Sequence, residues 1–297
     1  MIRIHENVFS LSVMRSSKSA AMLILLLLAI CPSLAAQENY FVTYSHEMEE
    51  PGNLEVAAKS ITGAPKGGDA FAATAMEFEY GMKTWWTTEL YLDGQTTADQ
   101  STLFTGFRWE NRVRPLLREH WINPVLYVEF EDINAADKAL LEVVGHDSRQ
   151  DFLGRNDRSD KQREAELKLI LSSNFKGWNV SENAIAEKNL TNAPWEFGYA
   201  LGASRPLALA ASAKNCVFCR ENFALGGEMY GGLGDRHSFG LHDTSHYFGP
   251  VVTWNLPHGP TLGVAPNFGL NNNSNGFLLR FMISYELDQS VSRFKSR

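Results

Sequence analysis

Residues 103–112 read LFTGFRWENR, and the alternation in this stretch decides the fold class. One face of an extended chain carries mostly apolar side chains, and the opposite face carries charged ones. Alternation of this kind predicts a β-strand with one polar face. The two faces are Leu103, Thr105, Phe107 and Trp109 on one side and Arg108, Glu110 and Arg112 on the other.

The same period of two recurs along the chain, whereas helical spacing occurs only at 135–144. We expect about twelve strands, with ten to fourteen as the range. A further short candidate lies at 40–46. Segment 178–188 alternates poorly because Glu182 falls on its apolar face, and Pro250 and Pro266 weaken their own segments. The expected strands are 54–62, 71–80, 84–92, 103–112, 123–132, 164–171, 178–188, 195–203, 223–230, 247–254, 261–269 and 277–287.

Composition limits the class of protein. The chain has 297 residues, of which 44% are hydrophobic and 21% charged, with a formal net charge of −7. An acidic chain lacks the basic footprint of a nucleic-acid-binding protein. Three cysteines in this length exclude a disulfide scaffold. No linker divides the chain, so residues 37–297 are interpreted as one domain.

The N-terminal 36 residues have the layout of a secretory signal peptide. Arg15 and Lys18 precede an apolar run over 20–31, and small residues follow it. Cleavage is expected near Ala35/Ala36. A run of twelve residues is too short to span a membrane as a helix. The mature domain is therefore expected outside the cytoplasm.

The character of the polar face favours a membrane barrel over a secreted β-sandwich or lectin-like domain. Its residues carry charges of both signs, as in an enclosed lumen where charges must pair. Aromatic residues cluster at segment ends, and segments of nine to eleven residues suit tilted spanning strands. We therefore predict an all-β, antiparallel transmembrane β-barrel. The predicted pore-lining residues are Glu77, Glu79, Glu89, Arg108, Glu110, Arg112, Glu129, Glu131, Glu166 and Lys168.

The motif FTGFRWENR…HWINPVLYVEFE, at 104–112 and 120–131, resembles an uncharacterised group of outer-membrane β-barrel proteins of Gram-negative bacteria. The resemblance covers essentially the whole mature chain and implies a barrel in the outer membrane, but no established activity. The last strand is similar to the assembly signal of such proteins, although Met282 stands where that pattern favours Gly. The chain also continues ten residues beyond Leu287, as a tail.

Loop lengths predict the orientation of the barrel. Bacterial barrels have short periplasmic turns and longer outer loops. With the C-terminus in the periplasm, the links near 81–83, 174–177 and 255–260 are periplasmic. The longest gap, 133–163, is then an outer loop. A barrel of this size filled with paired charges has a narrow lumen or none.

Three groups of residues, namely two cysteines, three histidines and two serines, could carry chemistry. Cys216 and Cys219 form a CxxC, for which a loop-pinning disulfide is favoured over a redox or zinc site. His237, His242 and His246 are weak metal candidates, since their spacing matches no strong motif. Ser245, beside Asp243 and His246, and Ser274 raise a lipid-hydrolase alternative without a matching signature. No catalytic residue and no cofactor are assigned.

The favoured function is passive transport of a small solute, or a structural role in the outer membrane, without enzymatic activity. For the lumen charges themselves, salt bridges that fill the barrel interior are favoured over a selective pore. A surface receptor or adhesion barrel acting through 133–163 is the competing class, and a rim-sited hydrolase is the least favoured. Expected partners are outer-membrane lipid, the barrel-assembly machinery and the solute. No nucleic acid is expected, and the barrel is expected to be a monomer.

Overall fold

The computed structural model describes residues 39–99, 102–134, 137–138, 144–146, 161–191, 193–210, 216–257 and 259–288. The predicted signal peptide, most of the helical candidate at 135–144 and most of the C-terminal tail lie outside these residues. Among the described residues, none forms a helix long and apolar enough to cross a membrane.

Twelve antiparallel strands form one closed barrel, so the predicted fold class is confirmed. Each strand pairs with its neighbours in sequence, and β1 pairs with β12 to close the sheet. The strands are β1 (Leu54–Gly63), β2 (Phe71–Lys83), β3 (Trp86–Thr97), β4 (Thr102–Val113), β5 (Asn123–Asn134), β6 (Lys161–Phe175), β7 (Trp178–Asn189), β8 (Trp195–Pro206), β9 (Phe223–Asp235), β10 (His246–Asn255), β11 (Thr261–Gly269) and β12 (Phe277–Leu287).

The barrel has two distinct ends. We call the end with Leu54 and Leu287 the base and the opposite end the rim, since these two residues pair at the start of β1 and the end of β12. The links 84–85, 176–177 and 256–260 lie at the base, together with the longer 114–122 and 207–222. The longest link, 135–160, lies at the rim. The three links predicted to share the side of the C-terminus do lie there, but length does not separate the two ends, since 114–122 and 207–222 lie at the base and the short 98–101 and 190–194 lie at the rim.

Side chains alternate between an apolar outer face and a polar inner face. Leu90, Leu126 and Leu167 point outward and are 41%, 54% and 45% exposed. Their neighbours in the strands point inward and are buried, and many of these are charged. A soluble sandwich would bury the apolar face instead, so this inversion fits strands that meet lipid.

The position of Thr105 corrects the predicted face pattern of β4. The register between β3 and β4 shifts between Asp93 and Gly94, where Asp93 pairs with Gly106 and Gly94 pairs with Phe104. Thr105 is the extra residue of this bulge, and it turns inward, where it is 5% exposed. A bulge reverses the alternation locally, so Thr105 does not share the outer face of Phe107.

Residues 39–50, here called the N-terminal segment, correct a second expectation. The predicted strand at 40–46 is wrong, because the segment lies inside the barrel without joining the sheet, and its backbone bends at 41–42 and at 46. Tyr40, Phe41, Val42 and Tyr44 are buried there. The segment joins β1 through Pro51 and Gly52, and the Gly52 amide donates to the carbonyl of Gly81 at 2.8 Å.

Candidate functional site

The barrel interior has one strongly charged side, formed by β2 to β6. All ten residues predicted to line a pore lie on these strands, face inward and are buried. Whether they line a conducting path stays a prediction. Sequence reasoning missed Lys59 of β1, Asp93 of β3 and Glu228 of β9, which also face inward. Alternation could have identified all three, since each lies at an inward-facing position of its own strand.

Ion pairs organise this charged side. Arg108 donates from Nε to Asp93 at 2.8 Å and lies 3.6 Å from Glu129. Lys59 lies 2.7 Å from Glu77, across the β1–β2 pair. Because charged side chains lose hydration inside a barrel, such contacts are needed to hold them there.

Arg112 contacts three carboxylates inside the barrel. Its guanidinium contacts Glu79 and Glu89, with Nε 2.7 Å from Glu89, and it lies 3.2 Å from Glu110. It also stands 5.3 Å from the ring of Tyr44 in the N-terminal segment. Arg112 therefore links three strands and the segment.

Carboxylates outnumber cations in this interior. Among the described residues, twelve buried acidic side chains face five buried lysines and arginines. Lys59 adds a sixth cation, with its side chain 13% exposed. Acidic linings favour cations over anions. The buried acids are Glu49, Glu55, Glu77, Glu79, Glu89, Asp93, Glu110, Glu129, Glu131, Glu166, Glu228 and Glu286, and the buried cations are Arg108, Arg112, Lys138, Lys168 and Arg280.

Aromatic side chains occupy the centre of the lumen. Tyr44 packs edge-on against Tyr127 with ring centroids 5.2 Å apart, and its hydroxyl donates to Glu110 at 3.0 Å. The ammonium of Lys168 lies 4.6 Å from the Tyr44 ring and 4.3 Å from the Tyr127 ring. These cation–π contacts and hydrogen bonds fix Tyr44 in the middle of the barrel.

Two small cavities flank the N-terminal segment. The larger borders Glu55, Glu79 and Arg112 near the base. The smaller borders Tyr91, Arg108 and Arg280 at mid-depth. Phe41, Tyr44 and Lys59 line both cavities. Two side chains of the segment therefore stand between them.

A serine, a histidine and a glutamate meet where the segment leaves the lumen. Ser172 Oγ lies 2.8 Å from His46 Nδ1, and His46 Nε2 lies 3.0 Å from Glu119. Glu119 also accepts from Asn123 at 2.8 Å. Burial lowers the pKa of His46, against the opposing effect of the Glu119 carboxylate.

This trio has the connectivity of a hydrolytic triad but not its surroundings. His46 and Ser172 are both buried, and Ser172 Oγ also accepts from Ser181 and Asn179. A nucleophile must reach a bound acyl group, and these neighbours enclose Ser172. The arrangement instead fastens the N-terminal segment to β6.

The acidic trio Glu77, Glu79 and Glu89 is the one cluster of potential metal ligands within the described residues. Its carboxylates already contact cations, since Lys59 pairs with Glu77 while Arg112 contacts Glu79 and Glu89. We therefore assign no metal site to it.

The three histidines considered as metal ligands have separate environments. His242 pairs with Asp243 at 2.6 Å, and both are exposed. His237 accepts from Arg236 at 3.0 Å. His246 lies on the outer side of β10 at the rim, bonded to Thr244 and Tyr199. They form no three-ligand cluster in the part of the chain that the structure describes.

The serines at the rim are used structurally. Ser245 Oγ donates to the carbonyl of Asn273 at 3.0 Å, and Ser274 Oγ donates to the carbonyl of His246 at 2.8 Å. His246 Nδ1 lies 3.0 Å from the Tyr199 hydroxyl, and its Nε2 lies 2.9 Å from Thr244. Ser245 and His246, adjacent in sequence, are thus directed to different partners.

The rim half of the lumen is filled by apolar side chains and part of the long rim link. Val144 of that link is buried in a cluster with Ile61, Phe71 and Leu278. Asp137 accepts from Thr105 at 2.6 Å, so the bulge in β4 anchors the start of the same link. Most of the predicted outer loop 133–163 lies outside the described residues.

The CxxC lies at the base, in the link between β8 and β9. The Cα atoms of Cys216 and Cys219 are 5.4 Å apart, a separation that suits a disulfide. Phe218 between them stacks on Trp254 at 5.0 Å, and the Trp254 indole donates to the carbonyl of Val217. The packing matches a structural role, and the disulfide itself stays a prediction.

Comparison with known proteins gives structural neighbours only. No protein-family model and no curated protein sequence matches the chain. An outer membrane channel from Pseudomonas putida F1 is 10% identical with a TM-score of 0.49, covering 85% of this chain and 100% of its own. The NanC porin is 11% identical with a TM-score of 0.43, covering 78% and 97%. The translocator domain of autotransporter NalP from Neisseria meningitidis is 9% identical with a TM-score of 0.43, covering 93% and 97%.

These neighbours are outer-membrane β-barrels, and at such low identity and TM-score none of them says what this chain does. The membrane assignment rests on the chain's own side chains, apolar outside and charged inside. The protein is a twelve-stranded antiparallel β-barrel of the outer-membrane type.

Proposed function

We propose that this barrel resides in the outer membrane of a Gram-negative bacterium and passively passes a small cationic solute through its lumen. The structure described above is then the closed form. Removal of the signal peptide near Ala35/Ala36 and insertion by the barrel-assembly machinery precede this role, and the barrel acts as a monomer with its base in the periplasm.

The observation that carries the proposal is the acidic interior. Twelve buried carboxylates against six inward lysines and arginines make the described lumen a negative environment. Such a lining lowers the energy of a cation inside the barrel and raises that of an anion. Glu129 and Glu131 stand at mid-depth to rim on β5, on the charged side of the lumen.

A structural barrel is the second candidate, and the filled lumen favours it. The N-terminal segment occupies the base half, and apolar side chains with Val144 occupy the rim half. A barrel that never opened would use its charges only as internal ion pairs. The two candidates differ in whether any solute crosses the folded protein.

Flux through reconstituted vesicles separates the two candidates. We expect small organic cations to enter proteoliposomes faster than anions of equal size, and Glu129→Gln with Glu131→Gln to reduce that preference. Glu182→Gln is the matched control, because Glu182 is a carboxylate on the lipid-facing side of β7. Entry no faster than in protein-free vesicles, from protein shown to be folded, would leave the structural role.

A further inference from the structure

The inner wall of the barrel binds the backbone of the N-terminal segment through side chains. Glu228 of β9 accepts hydrogen bonds from three consecutive amides, those of Phe41 at 2.9 Å and of Val42 and Thr43 at 2.8 Å. A carboxylate bonded by three N–H groups is a strong, charge-assisted contact. It recognises the main chain rather than any particular side chain.

A second wall residue extends this main-chain recognition. Asn183 of β7 accepts from the Tyr44 amide at 2.6 Å and donates to the Tyr44 carbonyl at 2.9 Å. A carboxamide that pairs with both groups of one residue imitates a neighbouring β-strand. Asn179, four residues closer to the base on β7, accepts from the Tyr40 hydroxyl at 2.9 Å.

Glycines on the same side of the wall leave room for the segment's aromatic rings. A Cβ on Gly202 would lie 2.6 Å from the ring of Tyr40, and one on Gly263 would lie 3.1 Å from the ring of Phe41. We call the surface formed by Asn179, Asn183, Gly202, Glu228 and Gly263 the groove. Its shape and its hydrogen-bonding groups fit a peptide that bends at 41–42, so that three consecutive amides reach Glu228.

The connection to β1 has the features of a hinge. Gly52 adopts a positive φ of 92°, and nothing lies within 4 Å of the position of a Cβ there. Pro51 precedes it, and Gly81 accepts from the Gly52 amide. The segment is thus held by the side chains of the groove and by the contacts of His46 with Ser172 and Glu119, and its chain continues into β1 through this turn.

We propose that the groove is a peptide-binding site, that residues 40–44 are its tethered occupant, and that release of this segment about Pro51–Gly52 joins the two cavities it separates. The ligand class is a polypeptide that bends so that consecutive amides converge on the Glu228 carboxylate. The site itself stands without the transport role, whereas the gating consequence rests on the proposed function.

Thiol labelling tests the groove directly. Thr43→Cys places a reporter in the segment at a position that is 6% exposed. In the folded full chain we expect slow reaction with a bulky maleimide, and a rate increase of about tenfold or more when Glu228→Gln is added. Gln keeps one acceptor oxygen for Val42 and Thr43, but its NH2 group would stand where Oε2 accepts from the Phe41 amide, and losing this charge-assisted bond corresponds to at least such a factor. The chain without Thr43→Cys corrects for native cysteines.

Glu182→Gln in the Thr43→Cys chain is the matched control, and its labelling rate should stay unchanged. Equal rates for the Glu228 and Glu182 variants, with both barrels folded by gel mobility, would overturn the groove. Should Glu228→Gln not fold, Asn183→Ala gives the second test, with the same expected direction and the same overturning result.

Conductance of the same variants separates this inference from the proposed function. Faster labelling together with new ion conductance in Glu228→Gln supports both the groove and its gating consequence. Faster labelling without conductance supports the groove and overturns gated transport. Conductance that is unchanged by Glu228→Gln, with unchanged labelling, overturns the groove while transport stands.

Discussion

Replacing Arg112 with leucine tests whether the buried ion pairs hold the barrel together. Arg112 is 4% exposed, and its guanidinium contacts Glu79, Glu89 and Glu110. Leucine would leave three carboxylates buried without their shared cation. Removing one partner of a buried ion pair costs about 3–5 kcal/mol, so we expect the free energy of unfolding to fall by about that amount.

Urea titration of the refolded barrel in lipid vesicles measures this loss, with the gel mobility of unheated samples reporting the folded fraction. Arg205→Leu is the control, because Arg205 is exposed at the base and lies 5.9 Å over the Trp178 ring. Its loss should cost about 1 kcal/mol or less. Adding Glu89→Gln to Arg112→Leu should restore part of the stability. An Arg112→Leu barrel within about 1 kcal/mol of the unsubstituted protein would refute the role given to these ion pairs.

Two further predictions concern the seating of the N-terminal segment, with the Thr43→Cys labelling rate as the readout. Gly81→Ala should make the seating of the segment less favourable by about 1–3 kcal/mol and so speed the labelling, because the new Cβ would lie 2.1 Å from the backbone oxygen of Glu50. Gly94→Ala is the control and should leave the labelling rate unchanged, because its Cβ would meet nothing nearer than 3.5 Å. Burial, followed by the nearby Glu286 carboxylate, raises the pKa of Glu49 to about 7. The Glu49 carboxyl therefore binds its proton more tightly when the segment is seated in the barrel than when the segment is released. Seating is for this reason favoured at acid pH and weakens as the pH rises through about 7. Labelling, normalised to a free thiol at each pH, should therefore accelerate over this range, and Glu49→Gln should flatten the profile; a rate that falls with rising pH would contradict this assignment.

Strand positions and facing directions could be predicted because they depend on neighbouring residues. Alternation over ten residues defines a strand and its two faces without knowledge of its partner. Glu182 illustrates the strength of the pattern. It stands on the apolar face of 178–188, and the structure does place it outward.

Features set by partners distant in sequence could not be predicted. The inward turn of Thr105 depends on a register shift between β3 and β4, which the sequence of β4 alone does not contain. Residues 40–46 alternate like a strand, yet they bind through Glu228, which lies 185–187 positions away. A single glutamate in a glycine-rich strand carries no local sign of accepting three backbone amides.

Alternation predicted which charged residues of the candidate site face inward, but not which residues they contact. Inward charges on β2 to β6 followed from alternation, but their partners depend on how the barrel closes. Ser172, His46 and Glu119 meet although they belong to β6, the N-terminal segment and a base link. Their spacing in sequence resembles no motif, so only the folded chain brings them together.

Single-channel recording of the refolded protein in a planar bilayer tests the central claim most directly, namely that an acidic lumen is closed by the N-terminal segment. We expect the unsubstituted barrel to conduct rarely, and Glu228→Gln to give frequent steps whose reversal potential in a salt gradient shows cation selectivity. Anion-selective steps, or silence from both proteins when both are shown to be folded, would contradict the account.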